Sequence, residues 1–335
     1  MSILEEGVGQ LIGWHDPDEN RQWIRDNKSR ELRDKRMTVA QAIAEFVHDG
    51  DFLASGGFGH VRVSMALIYE IIRQRRCNLT MAGKTAVHDA DLLIASGCVN
   101  RIEVAYSFGH EIRGLSPASR RMVETGQCEV TSEISNAGYQ WRFLAAMMGL
   151  PFIPSRNMLG TDTLKHSSAK VIEDPWTGKP VCLLPACYPD VAIIHVHRCD
   201  PNGNAQIDGI MIEDFELARA ARRLILTCEE IIPEEKIRDE PWRTIIPFYL
   251  VDAVVETPYG SHPCHMPYHY YFDEDHIREW LDRSKTAEGA SEYLQQYVHE
   301  AADFYAYLEL IGGARKLQYL KRVEQLRANE KVTNV

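Results

Sequence analysis

Long apolar runs are missing from this chain. No stretch approaches the about 18 residues that a membrane-spanning helix needs. The opening Met-Ser-Ile-Leu-Glu-Glu has neither the basic nor the apolar region of a secretion signal, so a cytoplasmic location is expected. Paired cysteines are missing too. The eight cysteines are scattered, with no Cys-x-x-Cys. Cys182, Cys187 and Cys228 sit in apolar surroundings, as reduced core thiols do. Positive charge is scarce: 37 basic against 48 acidic residues give a net charge of −11, which argues against a nucleic-acid partner. There is no Gly-x-Ser-x-Gly elbow and no phosphate-binding Gly-x-x-x-x-Gly-Lys-Ser/Thr loop. Gly56-Gly57-Phe58-Gly59 lacks the third glycine of the dinucleotide fingerprint.

What is present is a stretch around which the rest can be organised. Phe52, Leu53 and Ala54 read as a short buried strand, and Ser55, Gly56, Gly57 and Gly59 break it. Met65, Ile68, Ile71 and Ile72 then follow at helical spacing. Glycines allow positive φ and close approach to the peptide amides. A turn that feeds a helix N-terminus can host an anion or an oxyanion, although a tight turn that binds nothing has the same sequence.

The same unit recurs. Strands are expected at 79–82, 102–106, 128–132, 181–184, 191–196, 224–228 and 251–256, and helices at 89–96, 139–148 and 214–222. A further helix begins at Thr38, which has capping-box spacing with Gln41. The expected fold is α/β: an open, mostly parallel sheet with helices on both faces and a helical C-terminal segment from 275 to about 327. Ligands of such sheets sit at the carboxyl ends of the strands, where Gly56, Gly83, His110 and Ser135 are expected. Residues 1–36 read as a charged extension, with seven basic and three acidic residues between Arg21 and Arg36, and 37–330 as the main domain. Within it, 154–180 reads as an irregular, lid-like excursion.

Among groups that could do chemistry, His262, His265, His269 and His276 share one segment. Pro263 and Pro267 break the helix that would align them, so aromatic packing or a subunit interface is expected there and no metal. His195 and His197 alternate with Ile194 and Val196, as a satisfied core histidine would. Glu133, Glu229 and Glu230 each fit either a reactive carboxylate or a structural one.

Several blocks together resemble the α (A) subunit of family I CoA-transferases, the glutaconate CoA-transferase type above all. They are Asp49-Gly-Asp with Ser55-Gly-Gly-Phe58, Glu70-Ile-Ile-Arg-Gln74, Gly149-Leu-Pro-Phe152, Val191-Ala-Ile-Ile-His195, Thr227-Cys-Glu-Glu-Ile-Ile232, and Val251-Asp-Ala-Val-Val255 followed by Pro258-Tyr-Gly-Ser-His-Pro263. The resemblance runs from about Met37 to Arg315 and implies an α/β subunit pair, often doubled to α2β2. It implies that CoA moves between an acyl-CoA and a carboxylic or dicarboxylic acid through a thioester on a glutamate of the β subunit. No permanently bound cofactor is implied; the coenzyme A thioester is the substrate.

That glutamate lies in a Ser-Glu-Asn-Gly-like motif. Ser132-Glu133-Ile-Ser is the nearest approach here and does not match, so the nucleophile is expected on the partner and no catalytic residue on this chain. The Gly-x-Pro that usually continues the family's glycine signature is also absent between Gly59 and Met65. The substrate- or CoA-binding residues expected here are Gly56, Gly57, Phe58, Gly59, Arg62, Gly83, His110, Ser135, Asn136 and His262. Arg62 is the expected cation for a carboxylate or phosphate.

The alternative is a non-transferase CoA-ester enzyme of the same fold, a decarboxylase or C–C hydrolase. In the ring-opening hydrolase type the acting glutamate matches the Ser135-Asn136 region, and Asn136 cannot be a base. A non-enzymatic sensor that regulates transcription would want a basic DNA-reading module, which this acidic chain does not offer.

Overall fold

A computed structural model describes residues 2–327. Met1 and the last three residues of the expected 37–330 domain lie outside the described residues.

Short apolar runs become strands wherever glycine or polar residues bound them. Phe52–Ser55, Leu79–Lys84, Val99–Ala105 and Glu129–Glu133 lie side by side and parallel. On the other flank of Phe52–Ser55, Val191–Cys199, Arg223–Ile231 and Ala253–Glu256 continue the parallel sheet. Two antiparallel strands, Ala205–Gln206 and Thr244–Ile246, extend from the end of Val191–Cys199 and complete nine strands.

Successive strand residues point to opposite faces, and both faces are covered, so the strands read as continuous apolar runs rather than alternating ones. Leu53, Met81, Ile102, Ile193 and Ile225 pack with Ile68, Ile72 and Leu92 of the helices Met65–Arg73 and His88–Ala95. Ala54, Ala82, Ile194 and Leu226 pack on the other side with Phe143 and Ala146 of the helix Asn136–Met148. Each buried Ile or Leu side chain contributes about 1.5–3 kcal/mol relative to exposure.

Local signals set the helix ends. Thr38 and Gln41 form the reciprocal capping box on Val39–Phe46. Ser116 caps Pro117–Glu124 and Ser135 caps Asn136–Met148, each accepting a backbone N–H three residues on. Gly149 closes the latter helix with φ +69°. The C-terminal part is helical as expected, over Glu274–Arg283, Ala287–Leu294, Phe304–Leu310 and Gly313–Glu324. It lends Trp280, Tyr293 and Tyr307 to the first core.

Two expectations are corrected. The stretch 154–180 is not an irregular excursion. It contributes to a four-stranded antiparallel sheet in the order Ile3–Glu6, Lys170–Glu173, Pro180–Pro185, Phe152–Ser155. Val171, Cys182 and Leu184 turn inward from it to the second core. Residues before 37 are also more than a solvated arm. Ile3–Glu6 is the edge strand of that sheet, buried Asn20 accepts from Arg222 Nε at 2.9 Å, and Lys28 Nζ pairs with Asp252 at 2.9 Å.

Candidate active site

The carboxyl ends of the central strands converge on the glycine turn. Gly56 has no room for a side chain: a Cβ would stand 2.8 Å from Asp214 Oδ1 and 2.9 Å from Ile194 Cγ1. Gly57 has φ +85°, and a Cβ there would meet the Val61 carbonyl oxygen at 2.3 Å. A reciprocal pair of backbone bonds between Phe58 and Val61 closes the turn at 2.9 and 2.8 Å. Gly59 N–H donates to the Thr85 carbonyl at 3.2 Å and ties the turn to the next strand end.

Further residues at these strand ends join the same edge. A Cβ on Gly83 would meet the Glu103 carbonyl at 2.6 Å. Thr85 Oγ1 donates to Asn136 Oδ1 at 2.9 Å, and Asn136 opens the helix that Ser135 caps. Backbone strain collects here. Arg62, Thr85, Tyr106 and Phe108 all have φ between +49° and +68°, although none is glycine. Left-handed non-glycine residues cost about 1–3 kcal/mol each and cluster at functional sites. The expected Gly56, Gly57, Phe58, Gly59, Gly83, Ser135 and Asn136 are therefore brought to one edge.

Three other expected residues are placed differently. Arg62 does not face an open pocket. It is fully buried beneath the turn, where its Nη2 donates to Asp214 Oδ2 at 2.6 Å and to the Ile210 carbonyl at 3.0 Å. Asp214 Oδ1 in turn accepts the Gly57 N–H at 3.1 Å. Burial alone would raise the Asp214 carboxyl, but the charge and hydrogen bond of Arg62 and the Gly57 amide outweigh it and hold the group below its usual range. The Gly56 N–H also donates inward, to the Ile193 carbonyl at 2.8 Å. The amides of residues 56–59 are thus engaged within the chain, which removes the expectation of ready oxyanion donors in the turn.

His110 is fully buried behind the turn, with Nδ1 at 3.0 Å from His60 Nε2. His262 lies in the aromatic layer under the C-terminal helices, bonded to Tyr307 at 2.7 Å and Asp273 at 3.1 Å. The histidines of its segment take separate partners, Tyr293 for His276 and Glu324 for His265, in the aromatic surroundings expected. His195 and His197 are both satisfied core histidines. His195 bonds Thr227 and Glu229 at 2.8 Å each, and His197 bonds the Pro267 carbonyl and the Asp208 N–H. Glu229 is thereby structural: it also accepts from Tyr270 and the Tyr259 N–H.

One pair at this edge was not anticipated from the sequence. Lys84, the last residue of its strand, is buried with Nζ at 2.7 Å from Glu213 Oε2 and lies 5.1 Å from the Phe58 ring centroid. The second carboxyl oxygen of Glu213 has no partner. Burial drives the Glu213 carboxyl up to about 8, against the pull of Lys84 and with the repulsion of Asp214. A buried carboxyl shifted this far at the strand ends of a parallel sheet is a functional-site candidate. The signal was Lys84 at a strand end next to Gly83, but its partner lies far along the chain.

Around this edge the surface is apolar. Tyr106, Ile112, Ile210 and Met211 are exposed. No helix among the described residues is long and apolar enough to cross a membrane.

Comparison with known proteins agrees with this architecture. The family model described as coenzyme A transferase matches residues 36–257. An uncharacterized protein of Archaeoglobus fulgidus is 64% identical over 327 residues, which cover 98% of this chain and 73% of that one. The α (A) subunit of glutaconate CoA-transferase from Acidaminococcus fermentans is 34% identical over 84% of this chain and 93% of its own. The crystal structure of that transferase superposes with a TM-score of 0.82, covering 85% of this chain and 95% of that chain. The decarboxylase AibA/AibB superposes with a TM-score of 0.69 at 30% identity, covering 78% of this chain and 98% of that chain. With the parallel sheet and the glycine turn at its strand ends already in place, these matches show that the chain belongs to the coenzyme A transferase family, as an A-type (α) subunit.

Proposed function

We propose that this chain is the α subunit of a heteromeric CoA-transferase that moves CoA between an acyl-CoA and a carboxylic acid, with a dicarboxylic acid as the first acceptor class to try. The observation that carries the reading is at the strand-end edge, where the buried carboxylates are already paired. Asp214 is locked to Arg62, and Glu103 to Arg142 and Tyr139. Glu213 is buried against Lys84. None of these stands ready to attack a thioester. The nucleophile is then a glutamate of the β chain. The exposed Tyr106, Ile112, Ile210 and Met211 form the rim against which that chain closes. An α2β2 assembly fits the subunit pairing of the family.

In this arrangement Gly56, Gly57 and Gly83 set the shape of the turn and strand end that the thioester meets, because any Cβ there would collide with the chain's own atoms. Phe58 and Asn136 stand at the same edge, and Lys84 is its cation. The test is CoA transfer by the purified chain alone and after mixing with a candidate β chain. Transfer is expected only in the mixture. Transfer by the single chain refutes the reading. Acyl-CoA consumed by the mixture without any acceptor acid points to the decarboxylase or hydrolase alternative instead.

A further inference from the structure

Three histidines from separate parts of the sequence meet behind the glycine turn. His60 follows the turn, His88 opens the helix His88–Ala95, and His110 follows the strand Val99–Ala105. All three are at most 1% exposed. One ring nitrogen of each lies within 4.8 Å of those of the other two, the one such convergence of metal-capable side chains among the described residues. Their ring centroids stand 5.0 to 6.2 Å apart.

The cluster is short of partners. His60 Nε2 and His110 Nδ1 face each other at 3.0 Å. His60 Nδ1 and both nitrogens of His88 have no hydrogen-bond partner, and His110 Nε2 has only the Asp91 carboxylate, 3.3 Å away. Buried polar atoms are nearly always satisfied, so three orphan nitrogens on two adjoining rings point to a bound species. Each ring also carries a lone pair. A neutral imidazole ligates a metal through that lone pair.

An anionic brace stands behind them. Asp91 is fully buried, and its Oδ2 lies 3.3 Å from His110 Nε2 and accepts from Trp280 Nε1 at 2.6 Å. Its Oδ1 accepts from Ser116 and from the backbone and hydroxyl of Ser119. A carboxylate fixed on the far nitrogen of an imidazole is the usual outer support of a metal-bound histidine.

We infer that His60, His88 and His110 form a binding site for one divalent transition metal of the zinc class, with Asp91 orienting His110. Imidazole nitrogens suit Zn, Co, Ni and Cu. Small side-chain shifts would bring the three nitrogens to a common point about 2 Å away and leave a fourth position for water. Because the ligands come from the turn and from the elements that follow the next two strands of the sheet, the ion would pin the glycine turn from below.

The test uses the full-length, tag-free chain. Metal content is measured after purification, after chelation, and after reloading with Co²⁺ monitored by its visible absorption, with Zn²⁺ as competitor. The expected result is close to one metal per chain, and a lower Tm after chelation that reloading restores. His88→Leu separates the inference from a dry or water-filled cluster. With a metal site, the variant loses the equivalent of metal and melts below the loaded wild type. Without one, it removes two unsatisfied nitrogens and melts at or above the wild type. If His88→Leu does not fold, Asp91→Asn is read instead, and Co²⁺ affinity is expected to fall about 10- to 100-fold. Unchanged affinity in the folded Asn variant, a chelated wild type that takes up no Co²⁺, or a stabilised His88→Leu overturns the inference.

Discussion

The ion pair beneath the turn makes a quantitative test. Asp214→Ala removes the acceptor of the Arg62 guanidinium, 2.6 Å away, and of the Gly57 N–H, 3.1 Å away. Both residues of the pair are 0% exposed, so the guanidinium left behind cannot reach water. Two of its nitrogens, Nε and Nη1, are already without partners, and only the Ile210 carbonyl would remain. Breaking one side of a buried pair costs about 3–5 kcal/mol. Against a total stability of about 5–15 kcal/mol, that is a large fraction. Removing both charges is a different perturbation: Arg62→Met with Asp214→Leu keeps similar volume and leaves no buried charge. The double variant is expected to recover most of the loss. The assay is urea unfolding followed by circular dichroism, with the free energy taken from the midpoint and slope. A single-variant loss under about 1 kcal/mol, or a double variant no better than the single, would refute the claim that the pair is a closed structural brace.

Three further outcomes follow from the same edge. Gly57→Val should abolish turnover of the reconstituted enzyme, because the new Cβ would meet the Val61 carbonyl at 2.3 Å at a φ of +85°. A folded variant with near-normal kcat would show the turn to be dispensable. Glu213→Gln should flatten a pH dependence. The unfolded carboxyl ionises near its ordinary 4.5 and the folded one near 8, so between these values the folded state holds the extra proton. Stability from this group is full below pH 4.5 and is lost as pH rises through 8. The loss is of order a few kcal/mol, at about 1.36 kcal/mol for each tenfold change in proton affinity. A difference in urea midpoint between variant and wild type that stays constant from pH 5 to 8 would contradict it. Lys84→Met should weaken binding of the acid substrate more than it lowers kcat, read as a rise in KM; a change confined to kcat would count against Lys84 as the cation of the site.

Much of the fold was legible because its signals are local. The Thr38 capping box lies within three residues of what it satisfies. A short apolar run such as Val191-Ala-Ile-Ile194 announces a strand buried on both faces. The strand-end edge was legible for the same reason, since glycine marks the points where a Cβ has no room. What escaped was pairing at a distance. Arg62 read as a free cation because its partner Asp214 is 152 residues away, and Lys84 drew no attention because Glu213 is 129 residues away. The small sheet was hidden because its strands are short and its edge partner, Ile3–Glu6, lies in a segment read as an arm. The histidine segment 262–276 attracted attention by density. Its members point to different partners, while the rings that converge belong to three separate units of the sheet.

If this chain shapes the site while its partner carries the nucleophile, the covalent intermediate forms on the partner. That is read by incubating the reconstituted two-chain complex with an acyl-CoA, quenching with borohydride, and mapping the modified peptide by mass spectrometry. A transferase holds the acyl or CoA group on a carboxylate as a covalent intermediate. One reduced glutamate is expected, on the partner chain, and none here. A reduced Glu133 or Glu213 on this chain would contradict the division of labour, as would an unlabelled complex that consumes the CoA ester without an acceptor acid.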